Sequence, residues 1–221
     1  MKNKKIWIGI TFLGLTLMIA STAILLRKPP EFFAGRPIFY GETTIYRYSG
    51  EVLEHTGDVL VNVYYIGDGD PEALRAYREA NIKRGHALIT QGDIRLIWVQ
   101  VTFAYPVPIA EVRSLIEETG FQVEDFLMAG RNPQGDRTWC IDATGNIAQP
   151  ACDPDLGIML LKGWVETTEQ GLGRWLADDR VYMVDTTGVE IRELLAQRHA
   201  DIVAGRKIIV SPESPLWRLD W

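Results

Sequence analysis

The class this chain predicts is α+β, held behind a membrane tether. Three observations predict it. Residues 6–26 contain 21 residues and no charge, and a helix rising about 1.5 Å per residue over that length matches the roughly 30 Å hydrocarbon core of a bilayer. Short β-branched and aromatic runs alternate with amphipathic stretches through the remainder of the chain. Two strand–helix–strand patterns, at residues 94–128 and 157–186, stand in tandem. That duplication fits a split βαβ, or ferredoxin-like, antiparallel sheet with helices on one face. An N-terminal ββα extension precedes it. The expected order is a cytoplasmic head (1–5), a transmembrane helix (6–26), a Pro/aromatic linker (27–42), the ββα extension (43–93), the ferredoxin-like domain (94–210) and an aromatic tail (211–221).

The apolar run follows Lys2, Lys4 and Lys5. A cleaved signal peptide is the competing reading, since Ser21-Thr22-Ala23 ends in a small-x-small pattern. However, Ile24, Leu25 and Leu26 carry the apolar run on to Arg27 and Lys28, which favours a retained span. Charge flanks it on both sides, so the positive-inside bias is slight. A short head before a long domain is the signal-anchor arrangement, which puts the N-terminus in the cytoplasm and the domain outside. Pro29-Pro30 stops the helix where it leaves the bilayer. Phe32 and Phe33 are candidates for the headgroup level, where aromatic rings concentrate; packing of the linker onto the domain is the alternative.

In the extension, residues 43–48 and 59–66 read as strands. Asp70 is placed to cap a helix with Pro71 in its first turn. That helix is expected to run to about Ile89, with Leu74, Tyr77, Asn81, Arg84 and Leu88 along one stripe, and to end at Gly92. Residues 94–103, IRLIWVQVTF, form the strongest strand in the chain. Pro106 and Pro108 are expected to open a helix that ends at Gly120, with Ile109, Val112, Leu115 and Ile116 on its apolar face. Residues 121–128 return as a strand. A strand at 157–165 leads to Thr167 and Gln170, which have capping-box spacing, and to the apolar Leu172, Trp175 and Leu176. A strand at 181–185 precedes a second capping box, Thr187 and Glu190, and a helix over 188–204. Residues 207–210 close the regular structure.

The chemistry-bearing residues are few. Cys140 and Cys152 flank a segment rich in turn residues; outside the cytoplasm a disulfide is the expected state. Their spacing is not that of a thioredoxin-type pair. His55, His86 and His199 are isolated, and no pair has metal-ligand spacing. Asp68 and Asp70 form a D-x-D fragment without the remaining ligands of a calcium loop. Glu117-Glu118, Glu124-Asp125 and Asp178-Asp179 are adjacent acids of the kind usually solvated. Gly171-x-Gly173 lacks the third glycine of a dinucleotide fingerprint. No catalytic residue, cofactor or metal is expected.

The three lysines of the head leave 20 basic and 29 acidic side chains in residues 27–221, a formal net charge of −9. Such a domain repels phosphate backbones, which argues against nucleic acid as a partner. The tail, SPESPLWRLDW, is held extended by its prolines. Leu216, Trp217, Leu219 and Trp221 are candidates for docking a protein partner, with packing back onto the domain as the alternative. The expected function is that of a single-pass, extracytoplasmic accessory or interaction domain, a non-catalytic subunit of a membrane or envelope complex. An extracytoplasmic small-ligand-binding or sensing module is the second reading, and an enzyme with dispersed residues the third.

Overall fold

The computed structural model describes residues 39–43, 45–65, 70–132, 134–213 and 219. Among these residues no helix is long and apolar enough to cross a membrane. The expected span at 6–26 lies outside the described residues, as do Phe32, Phe33, Leu216, Trp217 and Trp221.

Two sheets organise the chain. The first has strand order β1-β2-β3-β9, built from β1 (Phe39–Glu42), β2 (Tyr46–Val52), β3 (Val59–Tyr65) and β9 (Ile208–Pro212). Its first three strands are antiparallel neighbours, and β9 joins β3 in parallel. Phe39, Tyr46, Tyr48, Val59, Val61 and Val63 bury one face of it. That face packs against the helix α1 (Pro71–Thr90) through Leu74 and Tyr77, and against α4 (Thr187–Arg198) through Ile191 and Leu195. The period of two along β2 and β3 is what a half-buried sheet requires.

The second sheet has the order β6-β5-β7-β4-β8, antiparallel throughout. Its strands are β4 (Leu96–Val107), β5 (Gln122–Arg131), β6 (Arg137–Asp142), β7 (Gly157–Glu166) and β8 (Val181–Asp185). The helix α2 (Ile109–Thr119) links β4 to β5, with β7 lying between those two strands. A π-helical turn (Glu169–Gly173) and the short α3 (Arg174–Ala177) link β7 to β8, with β4 between them. Ile97, Val99, Val101 and Phe103 of β4 face Val112 and Leu115 of α2, Leu172 and Trp175 of the second connection, and Leu88 of α1 in one core. Gly120 ends α2 in the left-handed conformation, φ 66°, a geometry glycine adopts without a Cβ penalty.

Several local expectations are corrected. The final strand does not join the larger sheet but pairs with β3, because its β-branched residues find Val59, Val61 and Val63 to extend. Residues 39–42, expected in the linker, form β1. Pro106 continues β4 rather than opening a helix; pairing is irregular between Thr102 and Val107, where a missing N–H costs little. β6 was not expected: it is a short edge strand bounded by turn residues, and it carries Cys140. The cap at the π-helical turn is Thr168, whose hydroxyl accepts from Gly171 N–H at 2.9 Å, not Thr167, which is engaged by Asp93 and Arg95. The capping box at Thr187 and Glu190 does not form, because both side chains are drawn to α1: Thr187 to Tyr77 and Asn81, Glu190 to Arg84. The helix expected over 188–204 breaks at His199, whose backbone leaves the helical region at φ −135°, and resumes as α5 (Ala200–Val203).

Candidate functional site: a cleft between the two sheets

A cleft of about 630 Å³ lies where the sheets approach each other, within the size range of small-ligand sites. Its walls are the edge of β9, the start of β4 and the adjoining face of β7 and β5, with Val189, Arg192 and Glu193 of α4 also lining it. Alternation along β4 decides what is presented. Ile97, Val99 and Val101 enter the core, so Trp98, Gln100 and Thr102 take the opposite face.

Register then assembles the site. Trp98 stands directly across from Trp164, and Gln100 across from Lys162 on one side and Asp185 on the other. Lys162 in turn stands across from Asp125, with a Nζ–Oδ1 separation of 3.2 Å. The register shift between Val123 and Asp125 inserts Glu124 at this point. Both indoles donate to its carboxylate, Trp98 Nε1 at 2.8 Å and Trp164 Nε1 at 2.7 Å. One acid therefore locks two aromatic rings and satisfies both N–H groups. Gln100 is 1% exposed, and its Nε2 makes no hydrogen bond among the described residues.

The cations of the cleft are unequally matched. Lys162 pairs with Asp125, and Arg95 approaches Glu193 at 3.8 Å. Arg192 makes no ion pair within 4 Å among the described residues. Its guanidinium lies over the Trp164 ring, 5.9 Å from the centroid, and reaches the Ile208 carbonyl at a long 3.5 Å. Burial lowers its pKa from the ordinary arginine value, opposed by the nearby Glu124 carboxylate. At the mouth, Leu96 remains 44% exposed, and Ile94 just before it is 66% exposed.

Cys140 and Cys152 are joined, with their Cα atoms 5.8 Å apart. The loop they close is also tied by Asp142, which is buried against it. Its carboxylate accepts from Thr144 N–H at 2.8 Å, the Thr144 hydroxyl, and Ala151 N–H at 2.6 Å. These bonds, the Thr144 hydroxyl first, hold its pKa below the ordinary aspartate value.

A second buried polar cluster joins the two halves of the chain. The Tyr77 hydroxyl donates to Asp185 Oδ2 at 2.6 Å, and Thr187 N–H donates to Asp185 Oδ1 at 2.9 Å. Asn81 Oδ1 accepts from Thr186 N–H at 2.8 Å. Burial raises the Asp185 pKa, and the hydrogen bond from Tyr77 opposes that rise. A carboxyl raised on folding contributes most to stability below its unfolded pKa, near 3.9; that contribution is lost as pH rises through the folded value. Replacing Tyr77 by Phe is expected to destabilise by about 1–3 kcal/mol, the cost of leaving a buried acceptor unsatisfied. The Tyr77 bond holds the Asp185 pKa down, so the variant should raise it further and the loss should not shrink as pH rises. Urea unfolding from pH 4 to pH 8 measures this; a loss that shrinks with rising pH would remove Asp185 as the acceptor that matters.

Asp68 lies outside the described residues, and the remaining chemistry-bearing residues singled out in the sequence, Glu124 and Asp125 aside, stand apart from the cleft. Asp70 caps α1, accepting from Glu72 N–H at 2.9 Å. The His199 ring stacks on Phe39 at 4.8 Å, while His55 and His86 are exposed. Glu118 pairs with Arg174, and Asp178 with Arg180 and Arg174. A Cβ at Gly171 would meet the Glu166 carbonyl at 2.5 Å, so close packing explains that glycine. Among the described residues no three His, Cys, Asp or Glu side chains form a metal-binding group. Leu219 is half-buried on Leu127, Ala129, Met159 and Leu160.

Trp98, Trp164 and Arg192 were not singled out in the sequence. The alternation within IRLIWVQVTF does put Trp98 on the polar side of a strand, but its partners lie far off in the chain. Comparison with protein-family models, curated proteins and solved structures returns no match to this chain.

Proposed function

We propose that this chain is a membrane-tethered, extracytoplasmic interaction domain, a non-catalytic subunit that recognises its partner in the cleft between the two sheets. The observation that carries the reading is the pair Trp98–Trp164, clamped by Glu124 beside the half-buried Arg192, which has no carboxylate within 4 Å among the described residues. Rigid aromatics and arginine are the residues that dominate binding energy at interfaces. The charge-free run at 6–26 supports the tether, and the Cys140–Cys152 bridge is consistent with an oxidising compartment. The interleaved order β5-β7-β4-β8 supports assigning residues 94–186 to the ferredoxin-like class. The acids nearest the cleft are engaged, Glu124 by two indoles and Asp125 by Lys162, which supports recognition over acid–base chemistry.

The test is purification of the full chain in mild detergent beside the double variant Trp98→Ala/Trp164→Ala. A stoichiometric membrane partner is expected with the parent chain. Affinity for it should fall at least about thirtyfold in the variant, the effect of losing a hot-spot residue. Recovery of a monomer holding a small molecule would favour the ligand-binding reading. A mature chain beginning near Ile24 would remove the tether.

A further inference from the structure

The strand β9 ends the smaller sheet, and its outer edge borders the cleft. Val59 N–H donates to Lys207 O, and Glu213 N–H donates to Val63 O. Since alternate residues of a parallel strand bond to the same neighbour, Lys207, Ile209, Ser211 and Glu213 turn their backbone groups to β3. Ile208, Val210 and Pro212 therefore turn theirs outward, and Pro212, which has no N–H, ends the series. Two observations place that outward edge in the cleft: all five residues from Lys207 to Ser211 line it in succession, and the Ile208 carbonyl receives Arg192 across it. A strand that touched the cleft with one face only would contribute alternate residues. Open edges of this kind are usually blunted by charge, Pro, a bulge or a covering element; Pro212 closes this one at its end, beyond Val210. Among the described residues β9 pairs on one side only, and its outward neighbours are an aromatic wall and Arg192, which has no carboxylate within 4 Å among those residues.

We propose that the cleft receives an extended segment of a partner protein, which adds as a strand to β9 through Ile208 and Val210 and brings an Asp or Glu side chain to Arg192. The proposal rests on the cleft being the recognition site. Strand addition supplies main-chain hydrogen bonds, and alternate side chains supply specificity. Side chains on one side of the incoming strand meet Trp98, Trp164 and the exposed Leu96. The acid completes a charge pattern the cleft leaves open: Lys162 and Arg95 have acids beside them, and Arg192 and Lys207 have none within ion-pair distance among the described residues. Displacing the long Arg192–Ile208 contact costs little, and an incoming N–H can take the Ile208 carbonyl in its place.

The experiment uses the full chain in lipid nanodiscs as bait for a phage-displayed random peptide library fused through its C-terminal end, so that no free terminal carboxylate is offered. Enriched peptides are expected to alternate apolar residues and to carry one Asp or Glu. A synthetic copy with alternate amides N-methylated should bind about tenfold or more weakly, the loss of one or two net hydrogen bonds. Amide exchange at Ile208 and Val210 should slow in the unmethylated complex. Replacing the peptide acid by its amide should weaken binding to the parent chain but not to Arg192→Gln. Peptides that tolerate N-methylation and leave Ile208 and Val210 unprotected, yet are lost in Trp98→Ala/Trp164→Ala, would overturn strand addition and leave the cleft as the recognition site. An acid-to-amide effect that is the same in Arg192→Gln would overturn the charge pairing. Absence of any enriched peptide that depends on the cleft would overturn the proposal as a whole. A natural partner indifferent to Trp98→Ala/Trp164→Ala would separately overturn the site.

Discussion

Replacing Trp175 by Ala is expected to lower the unfolding free energy by about 3–5 kcal/mol, the range for deleting a buried aromatic. The melting temperature should fall by roughly 6–20 °C for a domain of this size. Trp175 is fully buried on α3, a helix of four residues that cannot be stable by itself. Its indole holds that helix in place. The ring packs edge-on against Phe103 of β4 at 6.3 Å and against Phe121 at 5.1 Å. Nε1 donates to the Thr119 hydroxyl at 3.0 Å, and that hydroxyl bonds back to Leu115 O at 2.8 Å. Alanine leaves a large cavity and removes the indole donor to Thr119 Oγ1. Trp175→Phe keeps much of the volume and loses the hydrogen bond, so it should cost distinctly less. Denaturant unfolding of the three proteins decides the matter. Equal losses for Ala and Phe would mean that the hydrogen bond, and not the packing, is what Trp175 contributes.

Loss of the disulfide, by reduction or by Cys140→Ser/Cys152→Ser, is expected to cost about 3 kcal/mol in the chain-entropy account of a loop of this length. The effect should appear in the unfolded state. The native loop retains Asp142, which binds both its near end at Thr144 and its far end at Ala151, so little should change in the folded domain. The two devices separate by pH. Asp142 has a pKa depressed on folding, so its contribution is present above the unfolded value, near 3.9, and is lost as pH falls through the folded one. Stability of the reduced protein should therefore be offset from that of the oxidised protein by a near-constant amount between pH 5 and 8. Both should decline together in acid. Two reactive thiols in denatured, unreduced protein would remove the bridge, and with it part of the case for an extracytoplasmic domain.

Most element types were legible because local chemistry agreed with the fold. Asp70-Pro71 starts α1 and Gly120 stops α2 for reasons contained within a few residues. The run at 181–185 is β8 to the residue. Legibility failed where a side chain answered to a distant partner. Thr187 and Glu190 have the spacing of a helix cap, yet Tyr77, Asn81 and Arg84 lie more than 100 residues earlier and offer buried hydrogen bonds and charge. The local motif was overridden because an unsatisfied buried hydroxyl or arginine costs more than an uncapped helix end. Pro106 misled in the same way: its missing donor reads as a helix start until the irregular pairing of β4 is known.

Composition and pattern alone were enough to establish an acidic α+β chain with a charge-free N-terminal run, two strand–helix–strand units and a cysteine pair of loop-closing length. Folding in three dimensions decided that the last strand belongs to the first sheet, that Glu124 sits between two indoles, and that Arg192 faces the open edge of β9. The division has a physical cause. Periodicity records which face of an element is buried, and it is carried by neighbours in the chain. Register, by contrast, is settled by the fit of whole sheets. A one-residue slip between β4 and β7 would take Trp98 from its place across from Trp164.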